Sequence, residues 1–236
     1  MLAALGWGSL AASSLVLGAL AAFAREWSRR AIGAVLAFGA GALISAVSFE
    51  LWEEGSRIGG LGWTGLGLAL GALTYFACDT ALDRRSAGAA GEGDTGTALA
   101  LGAFLDGIPE QLVLGIGLAG GGGVSVALLV AIFASNLPEA IGSAAEMVKG
   151  RTTRRSVLGL WLGVAAACAL ATVCGYLIAD SASAGLQAAV SGFAAGALLV
   201  MLIDSMIPAA RRDAGPPAGL LTVLGFAVAA VLSSLS

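Results

Sequence analysis

Apolar stretches of about twenty residues, recurring from one end of the chain to the other, limit what it can fold into more than any other feature. A helix that crosses a bilayer needs roughly 20 mostly apolar residues. Such stretches cover 2–23, 31–52, 58–78, 98–118, 124–147, 157–178, 186–207 and 216–232. The chain is 58% hydrophobic and 11% charged, with a mean hydropathy of +0.93, whereas soluble domains carry roughly 25% charged residues. So few charges cannot clothe a water-facing surface. The reading is an all-α integral membrane protein of about eight transmembrane helices, 1–236 forming a single transmembrane domain. The first stretch has no basic region before it and no clear cleavage site, so it is expected to be a retained helix rather than a signal peptide.

The basic residues orient the chain. With eight spans both termini share one side, and the connections on the other side hold Arg25, Arg29, Arg30, Arg84, Arg85, Lys149, Arg151, Arg154, Arg155, Arg211 and Arg212. The terminus side holds only Arg57. By the positive-inside rule both termini face outward from a plasma (inner) membrane crossed several times. Trp7, Trp52, Trp63 and Tyr176 fall near outer ends, and Trp27, Tyr75 and Trp161 near inner ends, as interfacial belts do. The connection 79–97, rich in Ala, Gly, Asp and Glu, is expected to be a flexible cytoplasmic loop. The glycines 120–123 read as an outer turn; with no GK[ST] following, they do not make a phosphate loop.

Several chemistries are excluded by what is missing. There is no histidine, which removes most catalytic dyads, imidazole metal sites and histidine pH switches. Cys78, Cys168 and Cys174 lie in apolar runs without a CxxC pair and read as buried small side chains. Glu53-Glu54-Gly-Ser-Arg57 is too short, and too poor in histidine, for the paired-glutamate motif of intramembrane proteases, so no enzyme and no cofactor are expected. The net charge is −3, and the expected partners are the lipid bilayer and divalent metal ions, not nucleic acid. The 36 glycines suit helices that approach closely in lipid. Gly67-x-x-x-Gly71 marks such a contact, within the subunit or between protomers.

The fourth and fifth stretches carry the chemistry. The fourth reads Phe-Leu-Asp-Gly-Ile-Pro-Glu-Gln over 104–111 and the fifth Ala-Ser-Asn-Leu-Pro-Glu-Ala over 134–140. A carboxylate near the bilayer centre costs at least ~2.5 kcal/mol. Three of them, Asp106, Glu110 and Glu139, require compensation by protons or a bound cation. Asp106 and Glu110 are i,i+4 and share a helix face, as do Ser135 and Glu139, with Asn136 one turn from Glu139. Pro109 and Pro138 each withhold an amide donor from the preceding turn, freeing carbonyls that can line a polar cavity. These residues, with Gln111, form the candidate metal set: Asp106, Glu110, Glu139, Asn136, Ser135 and Gln111.

A second pattern is internal. Residues 38–43 read FGAGAL and residues 193–198 read FAAGAL, each followed about two turns on by a carboxylate, Glu50 and Asp204. The two stretches cross in opposite directions, so they would be related by inverted topology, a common transporter plan.

Paired Pro-Glu helices, eight spans, outward termini and the FxAGALL…D…IP pattern of the seventh stretch resemble the ZIP family of divalent-metal transporters, over nearly the whole chain. The resemblance implies a 3+2+3 helix arrangement with inverted outer repeats, a midplane metal site formed by HNxPEG- and HxxPE-type motifs, and a homodimer. This chain has Asp106 where the family has histidine, Gly107 for the neighbouring asparagine, Gln111 for glycine and Ser135 for a common histidine. Asn136, Pro138 and both glutamates match. The resulting site is oxygen-rich, which suits Mg, Mn and Ca, with Fe(II) intermediate; Zn favours nitrogen and sulfur but also binds carboxylates, so Mn or Fe(II) should be accepted relative to Zn better than in histidine-bearing members of that family. Glu50 is the candidate entrance; Asp204 and Glu146 are candidate exits, with Glu146 also placed for an i,i+3 pair with Lys149. The expected function is divalent-cation transport, with a transported metal of the Mn, Fe or Zn class at the site. The alternatives are a proton-coupled carrier of a non-metal solute, or a ZIP-like protein that has lost metal transport.

Overall fold

The computed structural model describes residues 1–88, 95–119 and 124–234. The described chain is built of helices: α1 (Leu2–Ala24), α2 (Arg29–Ala46), α3 (Glu54–Gly59), α4 (Leu61–Gly88), α5 (Thr95–Ala119), α6 (Val126–Lys149), α7 (Arg154–Ser181), α8 (Ala184–Met201), α9 (Ile207–Ala214) and α10 (Ala218–Ser234). A π-helical turn over Val47–Glu53 joins α2 to α3, and another over Leu202–Met206 joins α8 to α9. Among the described residues six helical rods are long and apolar enough to cross a membrane, and α10 is a shorter apolar helix. The protein is therefore an all-α chain of multi-pass membrane character.

Local chemistry sets where the helices begin and end. Ser28, Ser125, Thr153 and Ser183 cap α2, α6, α7 and α8, each side chain accepting from the amide three residues on. That bond satisfies one of the donors left orphaned at a helix start. Two helices run past the ends expected from hydropathy. The stretch expected to stop at residue 52 continues through its π turn to Gly59, steadied by an i,i+3 pair between Arg57 and Glu54, and breaks only at Gly60 (φ +88). The seventh likewise continues past 207 to Ala214 and breaks at Gly215 (φ +71). Both stops use the left-handed conformation that glycine adopts without cost.

The flexible loop expected over 79–97 is corrected in part: α4 persists to Gly88 and α5 already begins at Thr95. Ala, Leu and Arg over 80–85 are good helix formers, and a nucleated helix propagates through them even where the chain leaves lipid. Residues 89–94 of that loop, and the turn expected at 120–123, lie outside the described residues.

Glycine governs how the rods pack. A Cβ on Gly67 or Gly71 of α4 would run into the carbonyls of Ala189 and Phe193 on α8. In return, one on Gly192 or Gly196 of α8 would strike the carbonyls of Thr64 and Leu68 on α4. The Gly67-x-x-x-Gly71 motif is thus spent inside the subunit, where small residues allow backbones to touch. The contact of α2 with α10 repeats this arrangement. Gly41 meets Thr222 and Phe226, Gly225 meets Phe38, and Gly41 holds the place in α2 that Gly196 holds in α8.

The likeness of α2 and α8 goes further. Both have 18 residues, Phe38 and Phe193 stand at the same position in each, and each passes directly into a π turn. The two rods run antiparallel: Gly33 lies against Asp213 and Ala214, Gly39 against Met206, Gly55 against Ser191, and Gly59 against Ala184. Around them lies the larger apolar core, drawn from α2, α8, α10, α5 and α6. A smaller one joins α1, α6 and α7 around Trp161.

The basic connections gather at one end of this bundle. The Arg154 guanidinium sits over the Phe23 ring, 5.5 Å from its centroid, and Gly33, just after Arg29 and Arg30, packs on Asp213 beside Arg212. Trp161 and Tyr75 depart from the interfacial belt: Trp161 is wholly buried and Tyr75 is 5% exposed. Trp161 fills the α1–α6–α7 core, and Tyr75 has a polar partner inside the bundle.

Candidate functional site

The helices α5 and α6 pack side by side and bring the two Pro-Glu segments together in the interior. Glu110 is 1% exposed, and the Ser135 hydroxyl of α6 donates to its Oε1 at 2.8 Å. The same hydroxyl lies 2.9 Å from the Ile132 carbonyl, so its single hydrogen serves one acceptor at a time. Asn136 is fully buried and close enough to Glu110 to act on its carboxylate, although neither of its side-chain polar atoms makes a hydrogen bond of good geometry. Glu139, half-buried, lies within electrostatic reach of both Asp106 and Glu110. Asp106 is buried, and its Oδ1 accepts from the Tyr75 phenol of α4. Gln111 turns the other way, toward α7, where Thr172 donates to its Oε1 at 2.6 Å.

Five buried polar atoms of this cluster have no hydrogen-bond partner: Glu110 Oε2, Gln111 Nε2, Asn136 Nδ2, Asn136 Oδ1 and Glu139 Oε2. Among the described residues only Ser56 Oγ and Trp161 Nε1 share that condition. Buried polar atoms are almost always paired, because leaving one unpaired costs about 1–3 kcal/mol. Three of the five, Glu110 Oε2, Asn136 Oδ1 and Glu139 Oε2, are acceptor oxygens on neighbouring helices, and the other two are amide nitrogens. As the side chains stand, no three His, Cys, Asp or Glu groups among the described residues converge on one point. An ion held here would draw on amide and hydroxyl oxygens as well as carboxylates.

The prolines shape the backbone around the cluster. Pro138 leaves the Ala134 carbonyl without its usual amide, and this oxygen lies against Gly39 of α2. Removing the side chain at residue 39 lets α2 approach the freed carbonyl closely. Pro109 does the same to the carbonyl of Leu105.

A cavity of about 350 Å³ lies toward the end of the bundle away from the basic connections. Glu50, Glu54, Ser125, Gln187 and Ser191 line it, and at its floor are Val113 and Leu114, one turn along α5 from Glu110. Glu50 projects from the π turn and accepts from Ser125 Oγ at 2.6 Å. Of the other acids marked in the sequence, Asp204 is exposed on the second π turn, and Glu146 is exposed and paired with Lys149 at 3.0 Å. Neither joins the cluster.

Three participants were not anticipated. Tyr75 sits over Asp106, Thr172 holds Gln111, and Cys168, one turn before Thr172, packs its Sγ directly over Gly107. Cys168 and Thr172 at i,i+4 put one face of α7 against α5, a spacing the sequence does display. Tyr75 is legible only as a lone phenol one turn from Asp79.

No family profile and no curated protein matches the chain.

Proposed function

We propose that the protein moves divalent metal cations across the membrane through a site between α5 and α6. The observation that carries this reading is the set of unpaired buried oxygens around Glu110 and Glu139. Charged side chains inside a membrane bundle are expensive and mark ion pathways by default. A divalent ion would be drawn to these carboxylates and would satisfy orphaned oxygens of Glu110, Asn136 and Glu139 at once, with Asp106 and Ser135 beside them. The cavity lined by Glu50 supplies an approach from the opposite side to the basic connections. Acidic lining of that kind raises the local cation concentration.

The wider reading follows the ZIP resemblance: eight spans in a 3+2+3 arrangement, outward termini, a homodimer, and an inverted repeat relating the first three spans to the last three. The matched π turns and glycine contacts of α2 and α8 support the repeat. The donor set is dominated by oxygen, so Mn and Fe(II) are the favoured cargo relative to histidine-bearing relatives.

Uptake into proteoliposomes over a panel of Mn, Fe(II), Co, Zn, Cd, Mg and Ca tests the function. Saturable uptake of at least one of these ions, lost in Glu110→Gln, is expected. A strong preference for Zn at matched free-metal concentrations would reject the proposed ion choice, and parent-like uptake in both Glu110→Gln and Glu139→Gln would reject the site.

A further inference from the structure

The Tyr75–Asp106 hydrogen bond spans a seam in the bundle. Tyr75 belongs to α4, which packs along α8, whereas Asp106 belongs to α5, which packs on α7 and α6. Around the candidate site the two directions along α5 differ sharply. One turn beyond Glu110, at Val113 and Leu114, the open cavity begins. One turn before Glu110 stands Asp106, and the phenol lies over it; each residue is only 5% exposed. Past the phenol, one turn further along α4, Asp79 acts electrostatically on both Tyr75 and Asp106. The acids Glu110, Asp106 and Asp79 thus form a series running toward the basic end of the bundle, with the Tyr75 ring set between the second and the third.

We propose that Tyr75 is the gate on the basic side of the site. Its phenol caps Asp106 and closes the route there, while on the other side the cavity ends one turn short of Glu110, at Val113 and Leu114. This inference rests on the cation-transport reading for its cargo. A cation passing between Asp106 and Asp79 must take the place of the phenol, so the same carboxylate serves the gate when closed and the ion when open. Tyr75 is a positioning residue: it acts on the ion through Asp106. The seam favours such a role. The α4 backbone is locked onto α8 through Gly67, Gly71, Gly192 and Gly196, so the phenol can release Asp106 by moving α5 and its partners or its own ring, without unpacking α4.

Cys168 supplies a reporter. It is fully buried and packs on Gly107, the neighbour of Asp106, whereas Cys78 and Cys174 are exposed. The full chain carrying Cys78→Ser and Cys174→Ser is reconstituted, and modification of Cys168 by a small water-soluble thiol reagent is timed. Tyr75→Phe keeps the ring and removes only the O–H. The expected result is modification about tenfold faster, the population shift set by losing one hydrogen bond to a carboxylate. Thermal stability should fall no further than in Ser135→Ala, which likewise takes a hydroxyl donor from a buried carboxylate. Saturating Mn2+ uptake should accelerate by more than the half-saturating concentration changes, because the phenol bonds Asp106 and leaves Glu110 and Glu139 as they are. Modification within twofold of the parent overturns the gate. So does an equal acceleration in Ser135→Ala, which loosens the site without touching Tyr75 and would reveal general loosening. Absence of saturable cation uptake by the parent overturns the cation reading, and parent-level uptake in both Glu110→Gln and Glu139→Gln overturns the site; either takes this proposal with it. Uptake abolished in Glu110→Gln but Cys168 unchanged in Tyr75→Phe overturns the gate alone.

Discussion

Replacing Ser135 by Ala removes the only hydroxyl among the described residues that donates to Glu110 while changing almost no volume. Glu110 would then have two buried oxygens without a partner instead of one. A lost hydrogen bond to a charged group, leaving its acceptor buried, costs about 1.5–3 kcal/mol. For a chain of this size each 1 kcal/mol lowers the midpoint by roughly 2–4 °C, so the metal-free variant should melt about 3–12 °C below the parent. The control is Ser14→Ala. Ser14 is equally buried but bonds only the Ala11 carbonyl of its own helix, at 2.6 Å. Such back-bonding contributes little to helix stability, so that variant should melt near the parent. Metal separates the two further. A cation bound at 100 times its dissociation constant adds about 2.7 kcal/mol to whatever binds it, and it supplies Glu110 with the partner that Ser135 withdrew. The loss in Ser135→Ala should therefore shrink when the preferred ion is added. The assay is thermal unfolding of purified protein in detergent, with and without the ion. Metal-free midpoints within 1 °C for Ser135→Ala and the parent would refute the claim that this bond secures a buried carboxylate.

Other expectations follow from the same geometry. Glu110→Gln and Glu139→Gln should each lower calorimetric cation affinity at least about tenfold, the equivalent of about 1.4 kcal/mol. Asp204→Asn, at an exposed position, should stay within about twofold. Gly41→Val and Gly196→Val should destabilise by similar amounts, about 1–3 kcal/mol each by overpacking, because each side chain meets the same pair of partner backbone groups; chemical denaturation of the two variants would show whether the contacts are equivalent. A cysteine at residue 93 should resist an impermeant thiol reagent applied to intact cells, and ready labelling would reverse the orientation read from the basic residues.

The helical, membrane-type character of the chain was legible because lipid permits so few solutions. Apolar length alone placed the rods to within a few residues where glycine or a hydroxyl cap coincided with the change in hydropathy, as at Ser28 and Ser183. It failed where a helix outlasts its apolar stretch. Hydropathy records where lipid ends, while helix propensity decides where the backbone stops, and the two diverge over 53–59, 79–88 and 208–214. The π turns were also invisible. Nothing in Val47–Glu53 or Leu202–Met206 breaks a helix by composition; what the sequence did show was the shared FxAGAL pattern that leads into both.

The acids of the site were legible and their partners were not, for a reason that is physical. A buried carboxylate contradicts its apolar surroundings, so Asp106, Glu110 and Glu139 stand out in a single stretch read alone. A hydroxyl or thiol contradicts nothing, since Ser, Thr, Tyr and Cys all sit in membrane helices by bonding their own backbone or by packing. Ser135 was reachable through its i,i+4 relation to Glu139, a local rule. Tyr75, Thr172 and Cys168 owe their places to α4 and α7, distant in sequence, and the packing of those helices decides that they meet Asp106, Gln111 and Gly107. Gly107 shows this most directly: read in the sequence it is a missing side chain, and in the bundle it is the space that the Cys168 sulfur fills. The shape of this buried cluster is then set as much by the small residues that admit neighbours as by the charged ones.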